Sequence, residues 1–116
     1  MLGIGIDIED INRFKKYTLE KDFDFLNTIY SENELEYCFS KKSPAKHLAA
    51  RFCAKEAFIK ALPDYIDNIK FNEINITNLE NGKPTITCKK FPNYKCLVSL
   101  SHEKEKAIAV VYLDEV

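Results

Sequence analysis

Residues 43–62 read SPAKHLAARFCAKEAFIKAL, and the architecture follows from this stretch. Ser43 and Pro44 make a helix start, a capping residue ahead of a proline suited to the first helical position. Pro63 follows Leu62 and cannot continue the helix. The interior is rich in Ala, Leu, Lys, Arg and Glu, all strong helix formers. At about 3.6 residues per turn, Leu48, Phe52, Ile59 and Leu62 form a large apolar stripe. Ala50, Ala54, Ala57 and Ala61 form a small-residue stripe on roughly the opposite side. Such a helix is expected to be covered on both sides, which leaves its charges on the flanks. Arg51 and Lys55 take one flank, Glu56 and Lys60 the other. Like charges four apart are unfavourable unless an anion lies nearby, and covered charges need partners. The helix is therefore expected to wall a site, with an anion beside Arg51 and Lys55.

On the N-terminal side, Leu2–Glu9 alternates strictly. Leu2, Ile4, Ile6 and Ile8 take one face of a strand; Gly3, Gly5, Asp7 and Glu9 take the other. Two glycines on one face mark a close approach by another element, and Asp7 stands on that bare face. Asp10 to about Leu19 is a short, locally basic helical stretch with Arg13, Lys15 and Lys16. Phe23–Ile29 supplies apolar anchors. Ser31 caps a scaffold helix through SENELEYCFSKK, acids first and lysines last, as the helix dipole favours. On the C-terminal side, Pro63–Lys70 reads as a loop. From Phe71 the period becomes two. Strands are expected around Ile74–Thr77, Thr85–Lys89, Cys96–Ser101 and Ala107–Leu113, with Asn81-Gly82 as a hairpin turn. Short turns between them imply antiparallel pairing. The class is α+β: an N-terminal strand, helices including the long central one, then an antiparallel β-meander.

The 116 residues suit one domain, 1–116. A net charge of -1, from 17 basic and 18 acidic residues, argues against a nucleic-acid protein acting through bulk charge. Cys38, Cys53, Cys88 and Cys96 lack C-x-x-C spacing, so they read as small core residues of a reduced, cytoplasmic protein rather than a zinc site. The start MLGIGIDIED lacks a basic n-region, so no signal peptide is expected, and no apolar run reaches the roughly 20 residues of a membrane span.

Charge falls where burial is expected at three places: Asp7, the flanks of the central helix, and His102 at a strand end. Asp7 and Glu56 are placed to share a hard divalent cation, which needs one or two carboxylates plus substrate phosphates and water. Arg51, Lys55, Lys60, Lys83 and His102 suit phosphates by type, with Lys55 read in preference as one half of a structural ion pair. The plainer alternative is an i,i+4 ion pair between Glu56 and Lys60 with a capped His102.

GIGIDIEDINRF (3–14), SENELEYCFSKKSPAKHLAARFCAKEAFIKAL (31–62), NGKP (81–84) and VSLSHEKEKAIAVV (98–111) together resemble the stand-alone bacterial holo-(acyl-carrier-protein) synthases, a family of 4′-phosphopantetheinyl transferases. The motifs keep the family's order and cover nearly the whole chain. The resemblance implies transfer of 4′-phosphopantetheine from coenzyme A to a serine of apo acyl carrier protein, in support of fatty acid biosynthesis. It implies Mg2+, or Mn2+, at Asp7 and Glu56, and Lys60 beside the pyrophosphate, these three being the catalytic residues. Arg51, Lys60, Asn81, Gly82, Lys83, Pro84, Ser101 and His102 match positions that contact coenzyme A. Arg13 matches a residue facing the acidic carrier protein. A cytoplasmic homotrimer with active sites at subunit boundaries is the implied assembly, without nucleic-acid or membrane partners. The segment PDYIDN replaces a glycine-containing loop of the family, and no residue is carried over from it. Two other readings compete: a non-catalytic module binding coenzyme A or a carrier protein, opposed by the intact Asp7, Glu56 and Lys60, and a small nucleic-acid module, opposed by the charge balance and by the lack of an aromatic pair on a strand.

Overall fold

The computed structural model describes residues 2–66 and 68–115, with the backbone alone at Leu2. The expected loop Pro63–Lys70 therefore includes one residue, 67, that lies outside them. In chain order the elements are β1 (Leu2–Asp10), a 3-10 turn (Ile11–Phe14), α1 (Leu19–Ile29), α2 (Glu32–Phe39) and α3 (Pro44–Ala61). A second 3-10 turn (Phe71–Glu73) leads to β2 (Ile74–Asn78), β3 (Pro84–Cys88), β4 (Tyr94–His102) and β5 (Lys106–Glu115).

The central helix forms as its sequence dictates, although Ser43 makes no side-chain cap bond. α2 begins with a full capping box: the Ser31 hydroxyl accepts from the Glu34 amide while Glu34 accepts from the Ser31 amide. The anchors Phe23–Ile29 belong to a helix, α1, capped by Thr18 and kinked at Asp22. That kink breaks the periodicity that would otherwise announce it.

The strands are antiparallel, but they do not make one continuous meander. β2 and β3 form a separate two-stranded sheet, while the other sheet has the order β1-β5-β4. Between β3 and β4 the segment Lys89–Asn93 folds into turns, with the Phe91 amide on the Cys88 carbonyl and the Tyr94 amide on the Phe91 carbonyl. The chain thus leaves the ladder there. β1 joins through β5, with Gly3 opposite Leu113, Gly5 opposite Val111 and Asp7 opposite Ala109.

That register decides how α3 packs. Ala107, Ala109, Val111 and Leu113 are buried on the face shared with the glycines. A Cβ at Gly3 would overlap the carbonyl oxygen of Ala61, and one at Gly5 that of Ala57. The glycine face and the alanine stripe are two sides of one close contact. Gly5→Ala is expected to lower stability by about 3 kcal/mol, the upper range for an overpacked core. Chemical denaturation measures it, and unchanged stability would mean the helix does not depend on that contact. The opposite face of the sheet points outward and is apolar: Ile4 is 71% exposed, Ile6, Ile8 and Leu97 are more than half exposed, and Ile108, Val110 and Tyr112 are exposed to 36–38%.

Candidate active site

The close packing of α3 on β1 sets Asp7 against the Glu56–Lys60 flank. Lys60 Nζ donates to Asp7 Oδ1 (3.2 Å) and to the Ile6 carbonyl (3.1 Å). Lys60 therefore pairs with Asp7 across elements. Asp7 Oδ2 is buried and has no hydrogen-bond partner. Glu9 stands two residues along the same face. Burial, then the adjacent Asp7 carboxylate, push its carboxyl up to about 7; Glu56 adds to this and Arg13 opposes it. The Glu56 carboxyl is also raised, first by burial and then by Asp7, against Lys60 and Arg13. Arg13 Nη1 lies 3.0 Å from Glu9 Oε1, and its guanidinium covers the rings of Phe14 and Phe52. Two carboxyls raised by burial and by the neighbouring Asp7, with an orphaned Asp7 oxygen beside them, mark a place short of positive charge. Among the described residues, no three His, Cys, Asp or Glu side chains converge tightly enough to hold an ion by themselves. Glu9 was missed as a member of this group, although the alternation of β1 places it on the face of Asp7.

Arg51 lies some 140° around the helix from Glu56, since five residues at about 100° each make 500°. It is 4% exposed. Its Nη2 donates to Asn78 Oδ1 (2.6 Å) and its guanidinium stacks on Tyr37 (4.1 Å), while its Nε is buried without a partner. Asn78 Nδ2 in turn donates to the Gly82 carbonyl (3.0 Å). The turn itself is tight. The Leu79 amide bonds to the Lys83 carbonyl, the Gly82 amide to the Leu79 carbonyl, and the Lys83 amide to Asn81 Oδ1. Gly82 has φ +89°, a conformation that favours glycine. The structure thus brings Arg51 together with the Asn81–Pro84 turn.

Ser101 and His102 are exposed at the end of β4. His102 lines a cleft with Lys15, Ser43, Lys46 and Lys104. His47 of α3 is pushed down to about 4, first by burial, then by Arg51, Lys46, Lys41 and His102. This flank is a cationic field, and a bound phosphate would relieve it. An NMR titration of His47 is expected to give a midpoint near 4 in the free chain, rising when pyrophosphate is added. A midpoint that ignores pyrophosphate would mean that no anion binds on this flank.

Lys55 does not serve as a phosphate ligand. It is wholly buried, and its Nζ donates to Glu34 Oε1 (2.7 Å), the Phe71 carbonyl (2.9 Å) and the Ile74 carbonyl (2.6 Å). All three ammonium protons are thereby used. The anion expected beside Arg51 and Lys55 is, for Lys55, the chain's own Glu34. Burial lowers the Lys55 pKa, and Glu34 opposes that shift.

The family model of the 4′-phosphopantetheinyl transferase superfamily matches residues 3–111. A holo-(acyl-carrier-protein) synthase of Thermodesulfovibrio yellowstonii is 40% identical over 111 residues, covering 96% of each chain. The crystal structure of a holo-(acyl-carrier-protein) synthase from Bacillus anthracis in complex with CoA (3′,5′-ADP) superimposes with a TM-score of 0.81 at 36% identity, over 98% of this chain and 96% of that one. The Helicobacter pylori synthase in complex with coenzyme A gives 0.80 at 32% identity, over 96% and 99%.

Proposed function

Because the chain belongs to the 4′-phosphopantetheinyl transferase superfamily, we propose that Asp7 and Glu56 hold the Mg2+ of a holo-(acyl-carrier-protein) synthase. The enzyme transfers 4′-phosphopantetheine from coenzyme A to a serine hydroxyl of apo acyl carrier protein, releasing adenosine 3′,5′-bisphosphate. The observation that carries the metal assignment is the partnerless, buried Asp7 Oδ2 beside two carboxyls of raised pKa. Mg2+ prefers one or two carboxylates and fills its other positions with water and substrate phosphate, and Mn2+ suits the same donors.

Phosphoryl-type transfer rests on positioning and charge neutralisation. When bound, the cation supplies the charge that the pyrophosphate requires. Glu56 is the carboxylate assigned to accept the serine proton. Lys60, half-exposed on its tether to Asp7, reaches the departing phosphate. Arg51, with its unpartnered Nε, and the Asn81–Pro84 turn bind the nucleotide end, with Ser101 and His102. Arg13 meets the acidic carrier protein from an exposed position.

One chain carries the Glu56–Lys60 group and the Arg51 group on separate flanks of α3. The outward apolar face of β1, β4 and β5 supports a homotrimer in which neighbouring copies complete each site. Sedimentation is expected to show trimers, and a monomer at micromolar concentration would count against this assembly. No described helix is long and apolar enough to cross a membrane. Four free thiols support a reduced, cytoplasmic setting, and the product serves fatty acid biosynthesis.

The test is the intact mass of apo acyl carrier protein after incubation with the chain, coenzyme A and Mg2+. A gain of one phosphopantetheinyl group, blocked by EDTA, is expected. Binding of coenzyme A without any gain would reduce the chain to a binding module.

A further inference from the structure

Among the described residues, β2 has a strand partner on one edge only. Its other edge is closed by side chains. The Ile74 carbonyl accepts from Lys55 Nζ (2.6 Å), and the Ile76 amide donates to Glu34 Oε2 (2.8 Å). Between them the Ser31 hydroxyl meets Asn75 Oδ1 (2.6 Å). At the end of the strand Arg51 meets Asn78, which holds the Gly82 carbonyl. An amide and a carbonyl at an unpaired strand edge need partners when buried. Ile74 and Ile76 are 0% and 1% exposed, so the buried ion pair supplies what a further strand would. Lys55 immediately precedes Glu56 on α3, and Arg51 lies one turn before Lys55. The same helix therefore sets both the acidic group and the placement of the hairpin.

We propose that Glu34, Lys55 and Asn78 act as positioning residues: they dock β2 edge-on against α2 and α3 and so fix the Asn81–Pro84 turn and Arg51 for coenzyme A. This rests on the assignment of that turn to the coenzyme A site. Among the described residues, Glu34, Lys55 and Asn78 make no hydrogen bond to Asp7, Glu56 or Lys60, and the bonds of Lys60 run between α3 and β1. Loosening the dock thus weakens capture of the nucleotide while leaving the chemistry of the bound complex in place.

Two folded variants test it. Glu34→Gln with Lys55→Met removes both buried charges at near-constant volume, a replacement proteins often tolerate. Asn78→Ala cuts the surface end of the same row and needs no core change. Each is expected to raise KM for coenzyme A by about tenfold or more, the scale of a small displacement of a binding group. The value of kcat at saturating coenzyme A and KM for the carrier protein should stay within about twofold of wild type. A merely structural role would lower melting temperature and active fraction without moving KM for coenzyme A alone. Asn81→Ala with Lys83→Ala serves as the control for the turn. If that control raises KM and both dock variants keep the wild-type value, the positioning role is overturned while the turn assignment stands. If the control also leaves KM unchanged, the turn assignment is what fails. Should the core double variant not fold, Asn78→Ala decides alone, and an unchanged KM there overturns the proposal.

Discussion

Glu56→Gln is expected to lower kcat/KM for carrier-protein modification by about 10²–10³-fold, because a cation's charge stabilisation is worth several kcal/mol and each 1.36 kcal/mol is a factor of ten. Gln keeps the shape and loses the charge that both holds the cation and accepts the serine proton. Metal-free stability should move the other way. The Glu9 and Glu56 carboxyls lie above their ordinary values because burial and Asp7 disfavour their charged forms. Groups with raised folded-state pKa contribute stability below the unfolded-state value, and that contribution is lost as pH rises through the folded value. The metal-free chain is therefore expected to lose stability from the ordinary carboxylate range up to about pH 7, where Glu9 titrates. Glu56→Gln removes one of the repelling charges, so in EDTA above pH 7 it should melt no lower than wild type. Mg2+ should stabilise wild type in that range and leave the variant unmoved. Thermal melts at several pH values, with and without Mg2+, check this alongside the rate. Near-normal turnover in Glu56→Gln would refute the ligand assignment.

Lys55→Met alone should cost about 3–5 kcal/mol, the scale for leaving one member of a buried ion pair without its partner. Glu34 would remain fully buried with only the Ser31 and Ile76 amides as donors, and the Phe71 and Ile74 carbonyls would lose theirs. The fall in Tm should exceed about 10 °C for a domain of this size. Adding Glu34→Gln should restore part of it, since a neutral pair has no stranded charge; the Gln carbonyl can still accept from Ile76, while its amide replaces the oxygen that accepted from Ser31. Denaturant unfolding of the single and double variants reads the difference as a coupling energy. Additive losses would show that the two side chains stabilise the fold independently.

Much of this arrangement was legible in the residues. The two stripes of residues 43–62 announced a helix covered on both sides, and Gly3 and Gly5 announced the close approach that the Ala57 and Ala61 carbonyls make. Asp7 on the bare strand face and Glu56 on a helix flank read as two carboxylates able to share a cation, and the family resemblance implies the same pair. What the pattern did not yield is long-range. The partner of Lys55 is a glutamate 21 positions away, and its only local signal is the Ser31–Glu34 capping box, which already explains that glutamate as a cap. The split between the two sheets hinges on turns around Phe91 and on β1 pairing with β5, neither of which period-two alternation encodes. The N-G hairpin formed, but through the five residues 79–83 with only Gly82 at positive φ, because Asn78 and the Leu79–Lys83 bond set the turn. The exposed Ile4, Ile6 and Ile8 show the same limit: alternation tells which residues share a face, not which face the helix covers.

The most direct test of the carboxylate site is equilibrium binding of Mn2+, followed by the EPR signal of the free ion, in the presence of saturating coenzyme A. Wild type is expected to bind one Mn2+ per site more tightly than coenzyme A alone does, with affinity rising as pH increases through about 7, where Glu9 gives up its proton. Asp7→Asn and Glu56→Gln should each lose that binding. Wild-type Mn2+ affinity in both variants would contradict a metal held by Asp7 and Glu56.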